Sequence, residues 1–267
     1  MIVTEAGKWQ HNGSAKAQTT TLLGGLPITN IGMEETAEQF VEIALQAGTG
    51  NQLPFYSTSA NGQVIAMAAQ DEEFRQLLLR ADQIHADGMP MVLLSRYVSK
   101  TPLAERVATT DLVHAVARKA EESGVTFYFL GAREDVNALA VERMRQLYPK
   151  LQFVGRSHGY FSPERDEQAV VEEINRLRPG ILWIGLGVPM EQKFVSRNLH
   201  KLQNVGVIKT SGGLFDFLSG KNSRAPGWMQ SAGLEWLYRT MLEPRRLAHR
   251  YFLTNPIALR EILTRSE

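Results

Sequence analysis

TFYFLGAREDVNALAVERMRQLYPKLQFVG, residues Thr126–Gly155, holds a strand, a helix and a second strand in thirty residues. Thr126–Leu130 reads as an apolar strand, Glu134–Leu147 as a helix and Leu151–Gly155 as the next strand. The same alternation extends in both directions. Upstream, Leu22–Ile31 reads as extended, Met33–Ala47 as a helix, Leu53–Ser59 as a strand, Gly62–Arg80 as one helix, Gln83–Ala86 as a short strand, and Asp111–Ser123 as a helix stopped by Gly124. Downstream follow a helix at Glu164–Leu177, a strand at Ile181–Gly185, a helix at Met190–Leu202 and a strand at Val205–Lys209. Strands alternating with helices predict an α/β fold, a Rossmann-like and mostly parallel sheet with helices on both faces.

Composition narrows the chemistry. The 267 residues include no cysteine, so thiolate catalysis, disulfides and cysteine-built zinc sites are excluded. The six histidines lack metal-ligand spacing, and no Walker loop or GxSxG elbow occurs. The opening MIVTEAGKWQHNGSAKAQTT lacks the apolar core of a signal peptide and is expected to be a polar arm, residues 1–20. Net charge is +1, yet from Lys221 onward eight Lys and Arg face four Glu. The expected organisation is therefore the arm, an α/β domain over 21–220, and a C-terminal helical appendage over 221–267.

Ligands of open α/β sheets bind beyond the carboxyl ends of the strands, and several such ends carry polar chemistry. In YSTSANGQ, Thr58, Ser59 and Asn61 follow a strand: they either contact a phosphate or sugar, or Ser59 or Asn61 simply caps the next helix. In HADGMP, Asp87 is either a general base or a turn aspartate. Gly131 and Arg133 in FLGARED are placed to hold a pyrophosphate, or form an ordinary loop. Gly185 and Gly187 lack the third glycine of a dinucleotide fingerprint, which argues against a nicotinamide-dependent oxidoreductase. Glu191 and Gln192 open the following helix, and Gly212 and Gly213 form a turn where backbone can approach a ligand closely.

The segment SRAPGWMQSAGLEWLYRTMLEPRRLAHRYFLTNP, Ser223–Pro256, interleaves aromatic residues with Arg239, Arg245, Arg246 and Arg250. An amphipathic segment of this kind is suited to a lipid headgroup zone, or to lending an arginine to a diphosphate. Its bland reading is a helical hairpin with solvated arginines.

Taken in order, SAN (Ser59–Asn61), ADG (Ala86–Gly88), ERVATTDL (Glu105–Leu112), FLGA (Phe129–Ala132), GLGVPMEQK (Gly185–Lys193) and the long run from Gly212 to Tyr251 resemble the WecG/TagA/CpsF glycosyltransferases over nearly all of the chain from about residue 22. The resemblance implies an inverting transfer of a hexose from a UDP-sugar to a polyprenyl-diphosphate-linked sugar in bacterial surface or exopolysaccharide synthesis. It implies no cofactor, no metal and no nucleic-acid partner. It implies a protein peripheral to the cytoplasmic membrane, on its inner face, and is compatible with a homo-oligomer. It assigns Asp87 as base and a hydroxyl at Ser59, where the family has threonine, so Thr58 beside it competes for the role. Arg106 in ERVATTDL joins the substrate-binding set, and Arg224 joins the diphosphate or membrane set. Pro189-Met190-Glu191-Gln192 departs from the usual Pro-Lys/Arg-Gln-Glu and resembles a xanthan-type subgroup that transfers glucose. A non-catalytic nucleotide-sugar or lipid-diphosphate binding module is the alternative reading.

Overall fold

The computed structural model describes residues 19–47, 53–162 and 166–267. The expected polar arm lies outside them apart from its last two residues, and Thr20 already begins a strand. Strands β1 (Thr20–Leu23) and β2 (Leu26–Thr29) form an antiparallel hairpin where the sequence reads as one extended run. Gly24 and Gly25 supply the reason: both have positive φ, at 59° and 77°, which a two-residue hairpin turn requires.

Among the described residues the main sheet has six strands in the order β4-β3-β8-β7-β5-β6, built from β3 (Phe55–Ala60), β4 (Gln83–Ala86), β5 (Phe127–Gly131), β6 (Phe153–Ser157), β7 (Ile181–Gly185) and β8 (Val207–Thr210). The β3–β8, β8–β7, β7–β5 and β5–β6 pairs are parallel, as the alternation predicts. β6 starts two residues later than its expected position.

Chain contacts define two compact units. The first comprises Met33–Thr58 and Thr109–Asn222, with helices α1 (Met33–Gln46), α5 (Thr109–Ser123), α6 (Glu134–Leu147), α7 (Glu167–Leu177), α8 (Met190–Asn198) and α9 (Leu214–Leu218). Its centre is aromatic: Phe127 lies 5.8 Å from Trp183, and Phe129 lies 4.9 Å from Phe153 and 4.7 Å from Phe215. Trp183, Phe127 and Phe129 are wholly buried, the largest apolar payload a strand can carry. α5 ends at Gly124, whose φ of 74° and bond to Ala120 make it the expected C-cap.

The second unit comprises 19–32, Ser59–Ala108 and Ser223–Glu267. The single helix expected over Gly62–Arg80 is two, α2 (Gly62–Gln70) and α3 (Glu72–Leu79). Asp71 divides them: its extended backbone ends α2, and its carboxylate accepts the Phe74 amide to start α3. α4 (Met89–Val98) follows, with Pro90 in its first turn. The C-terminal segment forms α10 (Gly227–Ser231), α11 (Glu235–Leu242) and α12 (Pro244–Thr264). α12 packs on α2 where Gly62 meets Ala258, and it buries Ile262. Its end is bonded to the hairpin: Gly25 N donates to Arg265 O, Gly24 N to Ser266 Oγ and Glu267 N to Leu22 O. No described helix is long and apolar enough to cross a membrane.

Candidate active site

In the second unit, backbone bonds gather the candidates from three separate stretches. The Asp87 amide donates to Ala60 O at 2.8 Å, and the Val107 amide donates to Ala86 O at 2.9 Å. The tip of β4 is thereby tied to the end of β3 and to the run 105–108, so Ser59, Asn61, Asp87 and Arg106 share one end of the sheet. Asn61 Oδ1 accepts the Val64 amide at 3.1 Å, so the residue is the N-cap of α2. Its side chain abuts Gly88, the residue that caps α4. Asp87 and Ser59 are both partly exposed.

Arg106 also reaches the C-terminal segment. Its guanidinium donates to Glu235 Oε2 at 3.1 Å and to Gln230 Oε1 at 3.2 Å. Arg224 donates to Glu235 Oε1 at 2.9 Å and to Gln230 Oε1 at 2.7 Å. The other arginines of the segment follow on α11 and α12. Arg250 stacks 4.9 Å over the Tyr251 ring, which itself meets Trp236 edge to face. Arg245 is exposed at the start of α12, with Arg246 next to it in the helix, and Arg239 is half-buried on α11. Around them Trp228, Met241 and Phe252 are more than two-thirds exposed.

In the first unit, the strand ends are joined by a buried polar chain. Thr210 Oγ1 donates to Thr58 Oγ1 at 2.7 Å, Gln192 Nε2 approaches the same oxygen at 3.4 Å, and it approaches Glu191 Oε1 at 3.4 Å. Glu191 Oε2 accepts the Gly212 amide at 2.9 Å. Thr58 is fully buried and its hydroxyl is committed to these partners, whereas Ser59 faces partly outward. Burial pushes the Glu191 carboxyl up to about 7, against the opposing pull of the Gly212 amide and the Lys209 charge.

Gly131 and Gly185 are accounted for by packing. A Cβ on Gly131, whose φ is 141°, would overlap the Gly185 carbonyl, and one on Gly185 would strike the Phe215 ring. Asn137 Nδ2 fixes that corner by donating to Gly131 O at 2.8 Å and Ser157 O at 3.1 Å. Gly187 and Gly212 have positive φ and border open space; the exposed Gly213 also borders open space, with φ of −91°. Arg133 is exposed and paired with Asp135 at 3.2 Å, on the rim of a depression of about 640 Å³ that it shares with His158 and Tyr160. Among the described residues no group of three His, Asp or Glu could hold a metal ion.

Four members of these networks escaped the sequence reading: Thr210, Lys209, Gln230 and Glu235. KTSGG drew attention to its glycines, though the lysine and threonine before them sit on the same strand end. Glu235 and Gln230 lie within a run read only for arginines and aromatics, and their partner Arg106 is more than a hundred positions away.

Comparison with known proteins identifies the family. The family described as "Glycosyl transferase WecG/TagA/CpsF family" matches residues 20–266. A protein of Bacillus spizizenii strain W23 is 30% identical over 191 residues, 72% of each chain, and one of Bacillus subtilis strain 168 is 30% identical over 192 residues, 71% of this chain and 72% of its own. A Staphylococcus aureus protein is 25% identical over 223 residues, 84% of this chain and 85% of its own. All three are named N-acetylglucosaminyldiphosphoundecaprenol N-acetyl-beta-D-mannosaminyltransferase. With nearly its whole length matched, the chain belongs to the WecG/TagA/CpsF family and is a glycosyltransferase.

Proposed function

We propose that the protein transfers a hexosyl group, with inversion, from a UDP-sugar to the free hydroxyl of a polyprenyl-diphosphate-linked sugar in bacterial surface-polymer or exopolysaccharide synthesis. The observation that carries this reading is the bond of the Asp87 amide to Ala60 O, which ties a partly exposed carboxylate to the strand end bearing Ser59. Asp87 takes the proton of the acceptor hydroxyl as its oxygen attacks the anomeric carbon. The bond from that carbon to the diphosphate breaks, and UDP departs with the electron pair. Charge on the leaving group is met by guanidinium forks and backbone amides. Ser59 is the hydroxyl that meets substrate, and Thr58 holds the strand end in register through Thr210 and Gln192.

The relatives' names support an N-acetylmannosaminyl donor and an N-acetylglucosamine-bearing lipid acceptor. The order Met190-Glu191-Gln192 supports glucose instead. The exposed Trp228, Met241 and Phe252 beside Arg239 and Arg245 support a peripheral seat on an anionic membrane surface.

UDP release from a panel of UDP-sugars, with N-acetylglucosamine-diphosphate and glucose-diphosphate lipid acceptors, tests all of this. Transfer from UDP-N-acetylmannosamine or UDP-glucose identifies the donor, and Asp87→Asn is expected to lower turnover about a thousandfold or more while keeping the fold. Wild-type turnover by that variant removes Asp87 as base.

A further inference from the structure

Glu235 bridges two arginines. Each of its oxygens takes a guanidinium from a different part of the chain, Oε2 from Arg106 and Oε1 from Arg224. The second nitrogens of both arginines meet on a single atom, Gln230 Oε1, whose amide is oriented by donation to Ala225 O at 2.8 Å. Two planar forks therefore converge on neighbouring oxygens, an arrangement that suits adjacent phosphoryl groups as well as it suits one carboxylate and one amide. The side chains of Arg106, Arg224 and Glu235 are 12%, 23% and 24% exposed, so the cluster is constrained yet open to water.

We propose that Glu235 is an internal competitor: its carboxylate occupies a two-guanidinium site that a diphosphate takes during the reaction, and binding of the diphosphate displaces α11 from Arg106 and Arg224. The inference rests on the transferase reading for the identity of the anion. A diphosphate reaches the protein either in the nucleotide donor or in the lipid acceptor, and both present the same chemistry to the two arginines. Exchange costs little where an ion pair replaces an ion pair, whereas an empty site would leave two clustered cations repelling each other. The carboxylate thus keeps the arginines ordered at rest and yields to a ligand of higher charge.

Titration calorimetry of the full chain with UDP and with farnesyl diphosphate tests this. Glu235→Gln removes the competing charge and is expected to bind one of the two probes about tenfold more tightly. Gln230→Glu adds a second internal anion, at the loss of the bond to Ala225, and is expected to bind the same probe about tenfold more weakly. The probe that responds identifies whether the donor or the acceptor uses the site. A network that only fastens the C-terminal segment predicts the opposite for Glu235→Gln, weaker binding or none together with a lower Tm, and that result overturns the proposal. Unchanged affinity for both probes in Gln230→Glu also overturns it, even where Glu235→Gln fails to fold. Binding is read here without turnover. Opposite shifts in a protein that transfers no sugar keep this inference and sink the transferase reading, and Asp87-dependent transfer with unmoved affinities does the reverse.

Discussion

Glu191 has both carboxylate oxygens engaged and almost no contact with water, and its carboxyl is pushed up from 4.5 to about 7 chiefly by burial. Between those values the folded chain holds a proton that the unfolded chain has released. The group therefore favours the fold below pH 4.5, and that contribution falls away as pH rises through 7, by about 3 kcal/mol at most. Glu191→Gln keeps the shape without the charge. Its Tm is expected to change less than that of the wild type between about pH 5 and pH 8, a difference that a thermal unfolding series measures. Parallel curves would mean that Lys209 fully neutralises the carboxylate. Such behaviour could not be read from GLGVPMEQK, because the cause is burial beneath a turn some twenty residues downstream. Asp87 is the contrasting case: local order alone puts it at a strand end, while the choice between base and turn aspartate comes from the family resemblance and not from the residues around it.

At the level of elements, the parallel sheet was legible because each strand is an apolar run of the right length between helical repeats. β4 and β7 matched their expected bounds, and β5 was off by one residue. The failures were local. Apolar residues run at helical spacing through Asp71, so only its role as a cap for two helices reveals the break. α4 was not anticipated at all, because MPMVLLSRYV is short and has proline at its second position, which marks loops as readily as first turns. The C-terminal segment was read for its arginines, yet α12 also owns part of a core: Ala258 and Ile262 are buried, and Ala258 meets Gly62 of α2. Ile262→Ala is expected to cost about 2–4 kcal/mol, measured by denaturant unfolding. A loss below about 1 kcal/mol would show that the end of α12 rests only loosely on α2 and the hairpin.

For the molecule as a whole, exposed large apolar side chains recur through α10, α11 and the first half of α12, among them Trp228, Met241 and Phe252, and Arg245 is exposed in the same stretch. If that surface meets anionic lipid, an exposed arginine contributes about 1 kcal/mol, so replacing Arg245 by Gln is expected to weaken binding to phosphatidylglycerol vesicles roughly fivefold. Raising salt should have a similar effect on the wild type. Equal binding to neutral and anionic vesicles would remove the electrostatic half of the membrane reading. The second unit has another property, visible in the bonds from β1–β2 to Arg265, Ser266 and Glu267. Its earliest and latest residues complete one another. On the ribosome the amides of Gly24 and Gly25 must wait for these partners while more than two hundred residues are added, roughly 10–50 s at usual elongation rates. The first unit has all its residues by Asn222 and can fold during that interval. The hairpin can already pack against β4, where the Ile84 amide donates to Thr29 Oγ1 at 3.2 Å, but its turn stays unfastened until Arg265 and Ser266 arrive, so the bonds from Gly24 and Gly25 are a property of the finished chain and not of the growing one.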